Sequence, residues 1–239
     1  MSNRLRDKLF QDYAAHYKRV NRSVIDVSGK SHDSFAAMYG RYLAALPQGS
    51  LVLDAGCGTG LLLKHLSAFK NVKTAGVDVS QSQIDIARAV LPDVELICAD
   101  ALAYLKTHKK SFSGIFCMDV VEHLLTDDDC FDFAEALCGA LIPGGFCVIR
   151  APNAANMTGN YSRYIDLTHQ RCFTRASLLQ LMAAAGFHNC GVIPVVSSHF
   201  TGKVRLGIEH VIHRALFLIC GRGLEYIFTN NVICIGCAP

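Results

Sequence analysis

The sequence lacks the features that would place it in a membrane, outside the cell or on a nucleic acid. No apolar run reaches the roughly 18–20 uninterrupted residues that a bilayer-spanning helix needs. The opening stretch MSNRLRDKLFQDYAAHYKRV is charged throughout and has no apolar centre of a secretory leader. Net charge is only +3, and Lys and Arg form no dense stripe interleaved with aromatics, so no nucleic-acid partner is expected. The 11 cysteines are scattered through apparent strands and helices rather than spaced as a disulfide framework. They read as reduced thiols of a cytoplasmic protein. Cys234 and Cys237 have C-x-x-C spacing without a second pair, so buried strand cysteines are expected there and no metal. No internal repeat or low-complexity segment interrupts the chain.

What the chain does have is a core-forming composition: 239 residues, 51% hydrophobic, enough for one large α/β domain spanning 1–239. From Ser50 onward short apolar runs alternate with helical patterns. Strands are expected at 51–55, 72–79, 94–100, 112–120 and 144–153, with helices between them. Strand alternating with helix at this pitch gives a parallel sheet covered on both faces. Two regions stand outside the alternation. Residues 1–49 look helical, a cap before the first strand, and 154–175 form a polar insert after the fifth. Ligands of open α/β sheets bind beyond the carboxyl ends of the strands, and the insert leaves from such an end. Residues 1–45 and 154–175 are therefore expected to form a lid over an acceptor.

The run VLDAGCGTG places Asp54 at the end of strand one, followed by Gly56, Gly58 and Gly60. Glycines there permit a tight turn and close approach of backbone to a ligand. The spacing is G-x-G-x-G, not the G-x-G-x-x-G of a dinucleotide site. Asp78 closes the second strand 18 residues after Gly60, where an acid can take both hydroxyls of a ribose. Asp100 closes the third, where a polar side chain can read an adenine edge. Each acid alone could be a helix cap; three at successive strand ends beside a glycine loop are hard to explain that way.

This set resembles the class I S-adenosylmethionine (SAM)-dependent methyltransferases, in VLDAGCGTG, GVDVS, CADAL, MDVVEHL and LIPGGFCVI. The resemblance implies a Rossmann-like, seven-stranded, mostly parallel sheet whose last strand, NVICIGCA, is antiparallel. It divides the chain into the cap (1–49), a SAM-binding core (50–151) and an acceptor side (152–239). It implies SAM as cofactor, held by Asp54, Ala55, Gly56, Cys57, Gly58 and Gly60 along the methionine, Asp78 and Val79 at the ribose, Asp100 and Ala101 at the adenine, with Met118 and Asp119 after strand four.

On the acceptor side, RYIDLTHQRCFTRASL packs ionisable groups more densely than folding requires. A sulfonium methyl is already activated, so the enzyme mainly holds the acceptor in line. An alcohol acceptor must also lose its proton, and a positioned base contributes about 10²–10⁴-fold. Histidine is the residue type suited to that task. His169 is the expected base, with Asp166 either orienting its ring or binding substrate hydroxyls, while Asn153, Arg163 and Arg171 are expected to hold a polyhydroxylated or anionic acceptor. Tyr13, His16 and His123 are further acceptor candidates. The stretch from Asn153 to Phe187 resembles bacterial methyltransferases of capsule and O-antigen biosynthesis, which implies O-methylation of a sugar, free or as a nucleotide sugar, or of a phosphate on one. Quinone-pathway O-methyltransferases, with a similar Glu-His pair and Thr-His run, are the rival resemblance. A non-catalytic SAM-binding regulatory partner is the rival of another class.

Asp119, Glu122 and His123 could bind a divalent ion, but hard cations want about six oxygens. Packing of His123 under the SAM loop, a structural hydrogen bond or ion pair for Glu122 and no metal are expected instead. The stretch 203–227 has apolar residues at helical spacing with sparse charges. A homodimer face or core helix is expected there, with peripheral membrane contact as the alternative.

Overall fold

The computed structural model describes residues 8–10, 29–223 and 225–239. Seven strands form one sheet in the order β3-β2-β1-β4-β5-β7-β6. They are β1 (Ser50–Ala55), β2 (Val72–Asp78), β3 (Glu95–Cys98), β4 (Phe112–Met118), β5 (Leu141–Pro152), β6 (His188–Pro194) and β7 (Asn231–Cys237). The pairings among β1 to β5 are parallel, and β7 runs antiparallel between β5 and β6. This is the sheet the sequence led us to expect, with NVICIGC as the reversed strand. β3 is shorter than expected, because Asp100 belongs to the start of the following helix. All cysteines are free thiols, and Cys234 is buried in β7.

Strand side chains alternate between two cores, the consequence of a two-residue repeat in a sheet covered on both faces. Ile115 and Cys117 of β4 and Cys147 and Ile149 of β5 face one core; Phe116, Phe146 and Val148 face the other. The first core is closed by α4 (Ala101–Thr107), α5 (Asp127–Ala140) and α7 (Arg175–Ala184). Capping boxes start two of these helices, Thr126 with Asp129 and Thr174 with Ser177, each satisfying backbone N–H groups that would otherwise lack partners. The second core is closed by α1 (Gly29–Ala44), α2 (Leu61–Leu66) and α3 (Gln81–Val90). The remaining helices are α6 (Gly159–Tyr164), in the insert, and α8 (Phe200–Ile219), between β6 and β7.

Helix α1 corrects the expected lid. Phe35, Tyr39 and Leu43, each four residues apart, lie on one helical face and are buried. Tyr39 meets Phe116 edge-on with ring centroids 5.3 Å apart. Residues 29–44 are thus part of the sheet's cover. Residues 8–10 are helical, and Phe10 lies against the His123 ring at 5.6 Å. Tyr13 and His16 lie outside the described residues.

Candidate active site

The strand order reverses between β1 and β4, and the glycine loop leaves β1 at that switch point, where α/β sheets open a crevice. Gly56 and Gly60 have φ of 85° and 83°, left-handed backbone that favours glycine. A Cβ at Gly56 would also collide with Val120, and one at Gly60 would lie 2.7 Å from Leu91 Cδ1. Gly56 and Cys57 donate their N–H groups to the Val77 carbonyl at 2.8 and 3.0 Å, which ties the loop to β2. Gly58 N donates to Asp78 Oδ2 at 2.9 Å, and Ser80 N to Asp78 Oδ1 at 2.8 Å. Burial raises the Asp78 carboxyl pKa and these bonds lower it, so the loop and the acid hold one another in place.

Asp54 is 2% exposed, and its Oδ1 has no hydrogen-bond partner. Burial, then the nearby Asp78, push its carboxyl up to about 8. Tyr39 is the second buried polar group here without a partner, its hydroxyl pushed up to about 12 mainly by burial. Buried polar groups of folded proteins are almost always paired, which makes Asp54, at the mouth of the glycine loop, a candidate ligand contact. Asp54 fits the protonated amino group of SAM, and Asp78 keeps lone pairs for a ribose diol. The donor set therefore fits the cofactor.

Other expected cofactor residues divide. Asp100 accepts from Ala103 N at 2.8 Å, so it does cap α4, and its exposed carboxylate can still meet a base edge. Val79 is exposed, Met118 and Ala101 are half-buried, and Ala55 is buried. The Cys57 sulfur packs into the second core beneath Gly76, so any contact it makes with the cofactor is through its backbone on the loop. Asp119, part-exposed after β4, has a structural partner. It has a left-handed φ of 59° and is gripped by Arg150, Nε to Oδ1 at 2.9 Å and Nη2 to Oδ2. Arg150 was missed, although a lone cation closing an otherwise apolar strand is a visible signal.

The insert meets the turn after β4, Val121–His123. Thr168 donates its backbone N–H and its hydroxyl to Asp166 Oδ1, at 2.8 and 2.7 Å. The hydroxyl proton being committed, Thr168 Oγ1 accepts from His123 Nδ1 at 2.9 Å. Asp166 thus orients His123 through Thr168 and not the His169 ring, which corrects its expected orienting role. His169 Nδ1 donates instead to the Ser162 carbonyl at 2.7 Å. A carbonyl can only accept, so the neutral His169 ring carries its lone pair on Nε2. The two imidazoles meet edge to face at 4.7 Å. Burial, then His169, push His123 down to about 4. Asp166 is held below the usual carboxylate range, burial being outweighed by the Thr168 bonds and the two histidines.

Glu122 is 0% exposed and neither side-chain oxygen has a partner; its backbone carbonyl accepts from Gln170 N at 2.6 Å. Among the described residues its carboxylate makes no structural hydrogen bond or ion pair of the kind expected. Burial, with Asp119 adding, raises its pKa well above the ordinary value. Ligand atoms of Glu122, His123 and His169 lie within 4.8 Å of one another, a set able to hold a divalent cation. It differs from the expected grouping because Asp119 is held by Arg150.

Two expected acceptor ligands are structural. Asn153 is wholly buried; its Nδ2 donates to the carbonyls of Ile227 and Thr229 at 2.8 and 2.9 Å, and its Oδ1 accepts from Ala155 N at 3.0 Å. Arg171 pairs with Asp127 and donates to the Leu125 carbonyl at 3.0 Å, tying the insert to the loop after β4. Arg163 remains half-buried with its guanidinium over the exposed Tyr164 ring, 5.1 Å from its centroid.

A family model described as a methyltransferase domain matches residues 30–190. The chain is similar to the ubiquinone biosynthesis O-methyltransferase of Azoarcus sp., 26% identical over 161 residues, 58% of this chain and 67% of that protein. It is similar to the tRNA (carboxymethyluridine(34)-5-O)-methyltransferase alkbh8 of Xenopus tropicalis, 30% identical over 142 residues, 59% of this chain but only 20% of that one. A solved SAM-dependent methyltransferase from Archaeoglobus fulgidus shares the fold, with a TM-score of 0.66 at 20% identity over 94% of this chain and 99% of that one. Family match, fold and the fit of the strand-end carboxylates agree: the chain belongs to the methyltransferase-domain family and is a SAM-dependent methyltransferase.

Proposed function

We propose that the enzyme methylates an oxygen of a sugar, a hydroxyl or a phosphate oxygen, in cytoplasmic assembly of a bacterial surface polysaccharide. The observation that carries the oxygen acceptor is the Ser162 carbonyl on His169 Nδ1, which leaves Nε2 as a base. SAM supplies a methyl group already activated on a sulfonium. With SAM bound, His169 Nε2 would take the hydroxyl proton of an alcohol acceptor as its oxygen receives the methyl group. Thr168 and Asp166 fix His123 beside His169. The names of the relatives support oxygen as the methylated atom.

The sugar part of the reading is supported by the insert's rim. Tyr161 and Tyr164 are 68% and 74% exposed, and Arg163 covers Tyr164. Flat rings with a guanidinium beside them suit stacking on a pyranose and bonding of its hydroxyls or phosphate. A second reading, a phenol of quinone biosynthesis, is favoured by the name of the Azoarcus relative. Transfer of labelled methyl from SAM to a panel of nucleotide sugars, sugar phosphates and dihydroxyphenols separates them. Turnover of activated sugars is expected; turnover of phenols alone would overturn the sugar reading and keep the base.

A further inference from the structure

Helix α8 turns an apolar face outward. Phe200, Val204, Ile208, Val211, Leu218 and Ile219 are all exposed, from 45% at Val204 to 84% at Ile219. At 100° per residue these six fall within an arc of roughly 100°, one continuous stripe along the helix. The opposite face is pinned. His213 is buried, donates from Nδ1 to the Glu209 carbonyl at 2.6 Å and accepts from Met157 N at 2.7 Å on Nε2. Its ring stacks on Phe228 with centroids 5.4 Å apart. The stripe therefore cannot roll inward without breaking that anchor.

The geometry points to an anionic lipid surface as the partner of this face. Lys203 and Arg205 flank the stripe on its two sides, and Arg222 lies just beyond its end; all three are exposed. The one acid of the helix, Glu209, is paired with Arg205 at 3.7 Å, so the net positive charge beside the stripe comes from Lys203 and Arg222. A second copy is a poor complement. Antiparallel pairing would bring Lys203 and Arg205 towards Arg222, and parallel pairing would bring Lys203 towards Lys203, with no exposed acid on the helix to neutralise either. A bilayer rich in acidic headgroups supplies both the apolar and the negative half. The helix lies along such a surface with its apolar stripe in the headgroup region and does not cross it, since no described helix is long and apolar enough to cross a membrane. The His213–Met157 bond joins it to the insert that carries His169, so docking would bring the acceptor side to the lipid. The inference stands whichever acceptor is correct.

Flotation of the purified full chain with phosphatidylcholine vesicles, with and without roughly a quarter phosphatidylglycerol, tests it. Binding to the acidic vesicles alone is expected, weakening as salt is raised. Ile208→Asp with Val211→Asp should lower partitioning about tenfold or more, and Lys203→Glu with Arg205→Glu should abolish the preference for phosphatidylglycerol. SAM affinity by calorimetry should be unchanged in both variants, which shows that they fold. Equal partitioning of wild type and the Asp variant would overturn the inference. So would light scattering that finds a dimer converted to monomer by the Asp variant, with no vesicle binding by either.

Discussion

The cofactor half and the acceptor half of the site are held together by different means. Around the cofactor, carboxylates at the end of β2 and just after β3 are fixed by backbone N–H groups of the sequence motifs themselves: Asp78 by Gly58 of the glycine loop, 20 residues earlier, and by Ser80, and Asp100 by Ala103. Around the acceptor, side chains from distant segments fix one another: His123 through Thr168 and Asp166, Arg171 on Asp127, Asn153 on the carbonyls of Ile227 and Thr229. Geometry built from the backbone of such motifs is written in spacing. Geometry built from side chain to side chain depends on which residues the fold brings together.

The largest expected effect tests whether the acceptor half contains chemistry at all. His169→Ala should lower kcat by about 10²–10⁴ while leaving SAM affinity intact. The limb of the pH–rate profile that rises with pH in the wild type should vanish in the variant. If the acceptor is an ionised phosphate oxygen, KM rises more than kcat falls. A variant with wild-type kcat, KM and pH profile would reduce the insert to scaffold.

On the cofactor side, Asp78→Ala removes the acceptor of two backbone bonds as well as the ribose ligand. Each charge-assisted bond is worth about 1.5–3 kcal/mol, so the SAM Kd should rise tenfold or more. Asp100→Ala should cost less, since its carboxylate is exposed and shared with the α4 cap. Calorimetry on the two variants ranks them, and the reverse order would break the account of the glycine loop.

Much of the cofactor half was legible because the G-x-G-x-G loop and strand-end acids lie within short windows whose period also gave the strands. Spacing gives the position of Cys57 on the loop but not that its side chain points into the core. The acceptor half was legible only as a cluster. An asparagine after a strand reads alike whether it binds a sugar or closes a turn 74 residues away, and only the pairing of β5 with β7 decides. The partner of Asp119 was illegible for the same reason: Arg150 lies 31 residues on, in the adjacent strand. Tyr39 was hidden in an amphipathic helix whose apolar face is ordinary core.

Asn153 offers a cleaner split between stability and binding. Asn153→Ala orphans the Ile227 and Thr229 carbonyls and Ala155 N, at a cost of about 2–4 kcal/mol in unfolding free energy. In the folded fraction KM should stay near wild type. A large KM rise with unchanged stability would restore Asn153 as an acceptor ligand.

Asp54 should reveal itself through protons. Its carboxyl lies near 8 in the cofactor-free protein, so at pH 7 it is largely protonated. An ammonium brought beside it favours the ionised form, and SAM binding should release up to about one proton at pH 7. Calorimetry in buffers of different ionisation enthalpy measures that release, which Asp54→Asn should abolish. The linkage to stability has the same root. A carboxyl raised above its unfolded value stabilises the fold most at low pH, and that contribution is lost as pH rises through about 8. The cofactor-free protein should therefore lose stability from pH 4 towards 8, less steeply in Asp54→Asn.

Glu122→Gln carries the smallest expected effect and decides most about the cluster. The carboxyl is fully buried, lacks side-chain partners and has a pKa raised well above 4.5, first by burial and then by Asp119. In the protonated form it differs little in shape from glutamine. The wild type and variant should then match within about 1 kcal/mol at acidic pH. A raised folded pKa means stability present at low pH and lost as pH climbs, a loss that glutamine does not share. The variant should therefore equal the wild type at low pH and exceed it increasingly as pH rises, in unfolding followed by denaturant. A cation held by Glu122, His123 and His169 reverses the order, because it keeps the carboxylate ionised and paired. Glu122→Gln would then be the less stable protein, chelation would bring the wild type down to it, and His169 would have to be read as a ligand.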